Sequence, residues 1–179
     1  MLNLWHNVKP ERITDSKFLT VIEIPKGSKC KYELDKDTGM LILDRILYTS
    51  THFPANYGFI PLTLADDGDP LDVLVMCSET LECLTTVECY PIGAVRMTDG
   101  TYSDDKIIAV PLNDPTWNFY KDVKELPPHM LDEILHFFKV YKQLEKKNTS
   151  NLKILGINVA TEIIINAISA YKKYGFGNK

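Results

Sequence analysis

Four carboxylates fall within seven residues in Asp66-Asp67-Gly68-Asp69-Pro70-Leu71-Asp72, a segment that runs straight into the apolar stretch LDVLVMC. On an extended chain Asp67 and Asp69 point to one side, and the bend available at Gly68 and Pro70 swings Asp72 toward them. Converging carboxylates repel, and one takes up a proton unless a hard divalent cation with a preference for oxygen lies between them. The expected occupant is Mg²⁺. A plain solvated turn is the other reading, since turns use the same residue types. A calcium loop is excluded: counted from Asp67 it would need Gly at the sixth position and Glu at the twelfth, where the sequence has Asp72 and Ser78.

A second acidic segment, Met97-Thr98-Asp99-Gly100-Thr101-Tyr102-Ser103-Asp104-Asp105-Lys106, ends where an apolar strand begins. There Asp104 and Lys106 fall on one side of the chain, although a polar hairpin loop has the same composition. Cations also occur where strands expect apolar residues. Arg45 interrupts MLILDRILY, and Lys31 and Glu33 share one face of KCKYEL while Tyr32 and Leu34 take the other. A guanidinium in such a run needs an anion, either in an internal ion pair, with Asp44 or another carboxylate, or as a two-point grip on a phosphate. Tyr141 and Lys142 are neighbours about 100° apart on an expected helix, an arrangement that core beside surface also produces. His136 on that helix reads as a packing or interface residue rather than a ligand.

The elements that must position these groups are legible in pattern. FLTVIEI (18–24) and KCKYEL (29–34) are expected strands, separated by Pro25, Lys26 and Gly27 and predicted to pair as a hairpin. MLILDRILY (40–48), LDVLVMC (71–77), TTVECYPIGAVRM (85–97) and KIIAVPL (106–112) follow. After Pro127 and Pro128, Met130, Leu131, Ile134, Leu135, Phe138, Tyr141 and Leu144 keep helical spacing up to Lys146 and Lys147. A second helix is expected from about Ala160 to Tyr174, with Gly175 to stop it. Strands first and helices last argue for a mainly β, α+β fold, a closed barrel or curled sheet with flanking helices.

The 179 residues suit a single domain, 1–179, and 45% hydrophobic with 25% charged residues excludes collagen-like, coiled-coil and disordered chains. A net charge of −4 provides no bulk positive field for nucleic acid or an anionic membrane. Lys9, Glu11, Arg12 and Asp15 interrupt any export signal, and no apolar run approaches the roughly 20 residues of a spanning helix. The chain is therefore expected to be cytoplasmic. Its four cysteines, Cys30, Cys77, Cys83 and Cys89, lack C-x-x-C pairing and are expected as free thiols.

Taken in order, IEIPKGSKCKYELDKDTG, LDRILYTSTHFPANYGFIPLTL, DDGDPLDVLV, the MTDG…DDK loop and HFFKVYKQLEKK resemble the family I soluble inorganic pyrophosphatases, most closely the short bacterial type, over about residues 18–147. The resemblance implies an OB-like β-barrel with helices packed outside. It implies hydrolysis of pyrophosphate to two phosphates by metal-activated water, with three to four Mg²⁺ per site. Asp67, Asp72 and Asp104 would hold the first cation, Asp72 would be shared with a second, Asp99 and Asp104 would take a third, and Glu33 would act through water on a fourth. Asp69 matches the general base, and Lys31, Arg45, Lys106, Tyr141 and Lys142 match the groups that hold the phosphates. Tyr57 would line the pocket near the nucleophile, and Glu23 matches an acidic position outside the direct ligands. A homohexamer is implied as well, with His136 at a subunit contact.

The implied site sums to about −2 without metal, and pyrophosphate adds roughly −3 to −4, so activity should require the cations rather than merely gain from them. Phe53 stands where many members have Tyr, Gly100 where an acidic residue is common, and the last thirty residues match loosely, without a Trp often found there. Two other functions fit parts of the sequence. An OB-type oligonucleotide-binding module would carry exposed aromatics on a basic groove, and an Mg²⁺-dependent hydrolase of organic phosphates would prefer a nucleotide or sugar phosphate.

Overall fold

Strand β1 (Phe18–Ile24) is buried along its whole length, so its backbone needs a hydrogen-bonding neighbour on each side. In the computed structural model, which describes residues 3–99, 102–147 and 149–175, those neighbours are β4 (Asn56–Ile60) and β6 (Thr86–Asp99). Two further strands, β5 (Leu71–Val75) and β8 (Lys106–Pro111), complete the order β1-β4-β5-β8-β6, and β6 pairs back onto β1. Five strands thus form a ring, in line with the barrel that the strand pattern suggested and the OB-like fold that the resemblance implied. The short β7 (Tyr102–Ser103) and β9 (Ser150–Gly156) extend β6.

The predicted hairpin between the first two strands does not form. β2 (Cys30–Leu34) instead pairs with β3 (Leu41–Ile46) as a separate two-stranded sheet. Both of its strands are partly exposed, whereas β1 is occupied on both edges by barrel strands. Strands β4, β7 and β9 were not expected. NYGFI is short and centred on a glycine, YS is two residues long, and SNLKILG alternates polar and apolar residues over only four positions. Gly58 is required in β4, because a Cβ there would lie 1.9 Å from the Val21 carbonyl oxygen.

Helix α1 (Pro128–Val140) buries Ile134, Phe137 and Phe138. It stops before Tyr141, so Tyr141 and Lys142 lie beyond its end rather than on it; Tyr141 caps it and a 3₁₀ turn follows at Gln143–Glu145. Helix α2 (Ile157–Lys173) starts three residues earlier than expected and buries Ala160, Ile164, Ala167 and Tyr171. Among the described residues no helix is long and apolar enough to cross a membrane. The four cysteines form no disulfide, and burial pushes the Cys89 thiol up to about 12.

Candidate active site

The acidic segment folds as a tight turn rather than an extended chain. The Asp69 amide donates to Asp67 Oδ1 at 3.0 Å, the Ala65 amide to the Asp69 carbonyl at 2.7 Å, and Gly68 takes φ +89°, a left-handed conformation that glycine reaches without strain. The turn delivers the chain into β5, where Asp72 stands beside Lys106 of β8 in a parallel register. Tyr57 of β4 lies opposite Leu74, diagonal to Asp72 and within reach of it. Sheet pairing therefore gathers three strands' side chains at one place.

Lys106 is the centre of that place. Its Nζ lies 2.6 Å from Asp72 Oδ2 and 2.7 Å from Asp104 Oδ1, and its side chain is only 3% exposed. The Tyr57 hydroxyl donates to Asp72 Oδ2 at 2.5 Å. Burial and the Asp72 charge hold the Tyr57 phenol well above its ordinary range, so it remains a donor. Burial alone would lower the Lys106 pKa, but Asp72, Tyr57 and Asp104 lift it well above that of a free lysine. Asp67 binds its proton more firmly than usual, first through burial and then through the charges of Asp69, Asp72 and Asp104.

A cleft of about 230 Å³ opens over these groups. Asp67, Asp69, Asp72 and Asp104 line it, with Lys31, Glu33, Lys106, Tyr57, Tyr141 and Lys142. Glu23 lies in the same wall, its Oε1 accepting the Leu34 amide at 2.8 Å, and burial beside Asp72 raises its pKa to about 8. Asp99 ends β6, but its side chain, like Gly100, lies outside the described residues. Phe53 is not in the cleft wall. It packs against Tyr57 and Phe137, at ring distances of 5.3 and 4.9 Å, and lines a different groove.

Arg45 does not line the cleft. It stands opposite Lys31 across β2 and β3, hydrogen-bonds Glu145 Oε1 through Nε at 2.9 Å, and pairs with Asp44. Asp44 Oδ2 also lies 3.3 Å from Lys31 Nζ, which in turn pairs with Glu33. The ion pair left open by the sequence is thus present, with two acidic partners. Arg45 Nη2 is buried with no hydrogen-bond partner among the described residues.

Three more residues belong to the site although the sequence pattern did not mark them. Lys36, in the turn between β2 and β3, pairs with Asp69; Glu145, 8% exposed, fixes Arg45; Trp5 closes one wall and donates to the Thr63 carbonyl at 2.8 Å. Lys36 sits in a charged, turn-like stretch and Glu145 near the charged end of the expected helix, both of which read as solvent-facing, and no spacing connected Trp5 to the acidic turn.

A model of the family described as inorganic pyrophosphatase matches residues 20–172. The chain belongs to the inorganic pyrophosphatase family. Soluble inorganic pyrophosphatase 2 of Chlamydomonas reinhardtii is 44% identical over 95% of this chain and 88% of its own, and the potato soluble inorganic pyrophosphatase PPA1 is 46% identical over 95% and 81%. The inorganic pyrophosphatase of Helicobacter pylori is a similar solved structure, with a TM-score of 0.85 at 39% identity, covering 96% of this chain and 98% of that one. The Thermus thermophilus pyrophosphatase gives 0.86 at 36%, covering 96% and 99%. Neither an oligonucleotide-binding module nor an organic-phosphate hydrolase finds support among these pyrophosphatases.

Proposed function

We propose that the chain is a single pyrophosphatase domain that hydrolyses inorganic pyrophosphate to two phosphates in the Asp67–Asp72–Asp104 cleft. The observation that carries this reading is the convergence, in one small cleft of a pyrophosphatase-family fold, of four aspartates and two glutamates with four lysines and three tyrosines. Among the described residues no group of three His, Cys, Asp or Glu stands ready to hold a metal ion as it is, because the Lys106 ammonium already bridges Asp72 and Asp104. The donor set nevertheless fits a hard divalent cation: it is all oxygen, with Asp67, Asp69, Asp72 and Asp104 lining one cleft. Asp67, Asp72 and Asp104, with Asp99 and Glu33, would hold three to four Mg²⁺. When bound, they supply an acidified water and neutralise charge on the phosphoryl oxygens.

The protein's own groups do the rest. Asp69 orients the attacking water and accepts its proton as the water oxygen bonds to one phosphorus and the bridging P–O bond breaks. Lys106, charged at any working pH, trades a carboxylate oxygen for a phosphate oxygen, and the Tyr57 hydroxyl, donating to Asp72 Oδ2, keeps that carboxylate aimed. Lys31, Tyr141 and Lys142 hold the two phosphates, and Arg45, outside the cleft wall, shares Asp44 with Lys31 and so helps to place the Lys31 ammonium.

Phosphate release from pyrophosphate by the purified protein tests this directly. Release with Mg²⁺, none with chelator, and release from a nucleotide or sugar phosphate at least a hundredfold slower are expected; no release from pyrophosphate with Mg²⁺ overturns it. The four free thiols suit a reducing cytoplasm, where we place the enzyme. We also assign it a homohexamer, supported by Met40, Ile42, Leu43, Ile46 and Tyr48, exposed apolar side chains that monomers seldom leave clustered. A sedimentation mass of one chain overturns that assignment.

A further inference from the structure

Behind the acidic turns a second groove, of about 490 Å³, is lined by Asp66, Arg96, Ser103 and Asp105. Arg96 reaches from β6 and grips Asp105 with two hydrogen bonds, Nε to Oδ1 at 2.8 Å and Nη2 to Oδ2 at 2.6 Å. Ser103 Oγ donates to the same Oδ1 at 3.2 Å, and the Asp105 side chain is 11% exposed. Arg96 also lies in the field of Asp66 across the groove. Each of these acidic partners is one residue from a carboxylate of the cleft, since Asp66 precedes Asp67 and Asp105 follows Asp104.

This placement has a mechanical consequence. Successive side chains of an extended segment point to opposite faces, so holding Asp105 at the back turns Asp104 and Lys106 to the front, where they meet at 2.7 Å. A two-point grip fixes the plane of the carboxylate as well as its distance, which a single ammonium contact does not. The cleft carboxylates meanwhile repel one another, a force that by itself would spread the two turns.

We propose that Arg96 is a positioning residue that braces the second acidic turn from behind, holding Asp105 so that Asp104 faces the cleft as a ligand for a divalent cation. The proposal rests on the metal reading above. It differs in sign from a simple charge effect. As a bare positive charge Arg96 repels a cation, and its removal would tighten metal binding; as a brace, its removal loosens it.

Titration calorimetry with Mg²⁺ on the substrate-free protein separates the two. Arg96→Met and Asp105→Asn are expected to weaken Mg²⁺ binding by about tenfold, the usual scale for groups that orient metal ligands, and Arg96→Lys by less. The Mg²⁺ concentration for half-maximal turnover should rise by the same factor, which a loss of fold stability alone would not produce. Parental or tighter Mg²⁺ binding by folded Arg96→Met overturns the brace. If that variant does not fold, as judged by circular dichroism, parental Mg²⁺ binding by both Arg96→Lys and Asp105→Asn overturns it equally. A parent protein that binds no Mg²⁺ overturns the metal reading instead.

Discussion

The Tyr57 hydroxyl donates to Asp72 Oδ2 at 2.5 Å, the same oxygen that Lys106 reaches at 2.6 Å. One carboxylate oxygen therefore carries two donors, one neutral and one charged, and the site's response to mutation depends on which is removed.

Tyr57→Phe removes the neutral donor and keeps the ring against Phe53. The loss of one hydrogen bond to a charged acceptor, about 1.5–3 kcal/mol, should lower kcat/KM by roughly ten- to a hundredfold while the variant stays folded. Steady-state phosphate release measures it, and parental kcat/KM would remove Tyr57 from the catalytic scheme.

Lys106→Met leaves Asp72 and Asp104 facing each other without their shared cation. In chelator the variant should lose about 3–5 kcal/mol in urea unfolding, the scale for a buried pair that loses one partner. A lysine pKa raised on folding adds stability that is complete below the unfolded value and lost only as pH rises through the folded one. The folded value lies well above 10.5, so the deficit should be constant between pH 6 and 9. Added Mg²⁺ should recover part of it, since a cation between the carboxylates replaces the ammonium. A deficit that Mg²⁺ leaves untouched would show that the ammonium and the metal do not share those oxygens.

Glu23 shifts in the same direction, but its window lies in the working pH range. Its carboxyl rises from 4.5 to about 8 on folding, chiefly through burial and then through Asp72, so the folded state keeps a proton that the unfolded state has released. Stability of the metal-free protein should fall as pH climbs from about 4.5 to about 8, by at most about 1.4 kcal/mol per pH unit. Glu23→Gln still accepts the Leu34 amide and has no proton to lose. Thermal unfolding in chelator should find variant and parent alike near pH 4.5 and the variant more stable at pH 8.5; parallel curves across that range would contradict the buried, protonated carboxyl.

Lys36 and Asp69 form an exposed pair, with side chains 51% and 48% accessible, so Lys36→Met should change stability by less than about 1 kcal/mol. Its position on the cleft wall predicts a kinetic effect instead. Removing a rim cation that attracts a multiply charged anion should raise KM for pyrophosphate several-fold and make it less sensitive to salt, with kcat nearly unchanged. An unaltered KM at low salt would leave Lys36 as a surface pair and nothing more.

Much of the site was legible because its chemistry is concentrated in short segments. Asp66 to Asp72 announces itself by charge density ahead of an apolar strand, and the Asp104–Lys106 spacing was correctly read as one face. A Pro-Lys-Gly break looks like a turn whether or not the strands on either side pair, so the pattern alone predicts a β1–β2 hairpin where β1 in fact pairs with β4 and β2 with β3. Tyr141 and Lys142 were placed on a helix because apolar spacing continues through Leu144, although the helical hydrogen bonds do not.

The sequence by itself determined the inventory: a carboxylate-rich turn, several cations out of place in strands, and a chain patterned as strands followed by helices. Only the tertiary structure decided the pairings, namely that β5 and β8 run parallel so that Lys106 meets Asp72, that Glu145 reaches back about a hundred residues to Arg45, and that Arg96 stands behind the second acidic turn. The physical reason is range. Residue type and local spacing set which groups exist and which way neighbouring side chains point, whereas electrostatic partners are chosen by strand register between segments far apart in the chain, and register is fixed only when the whole ring packs.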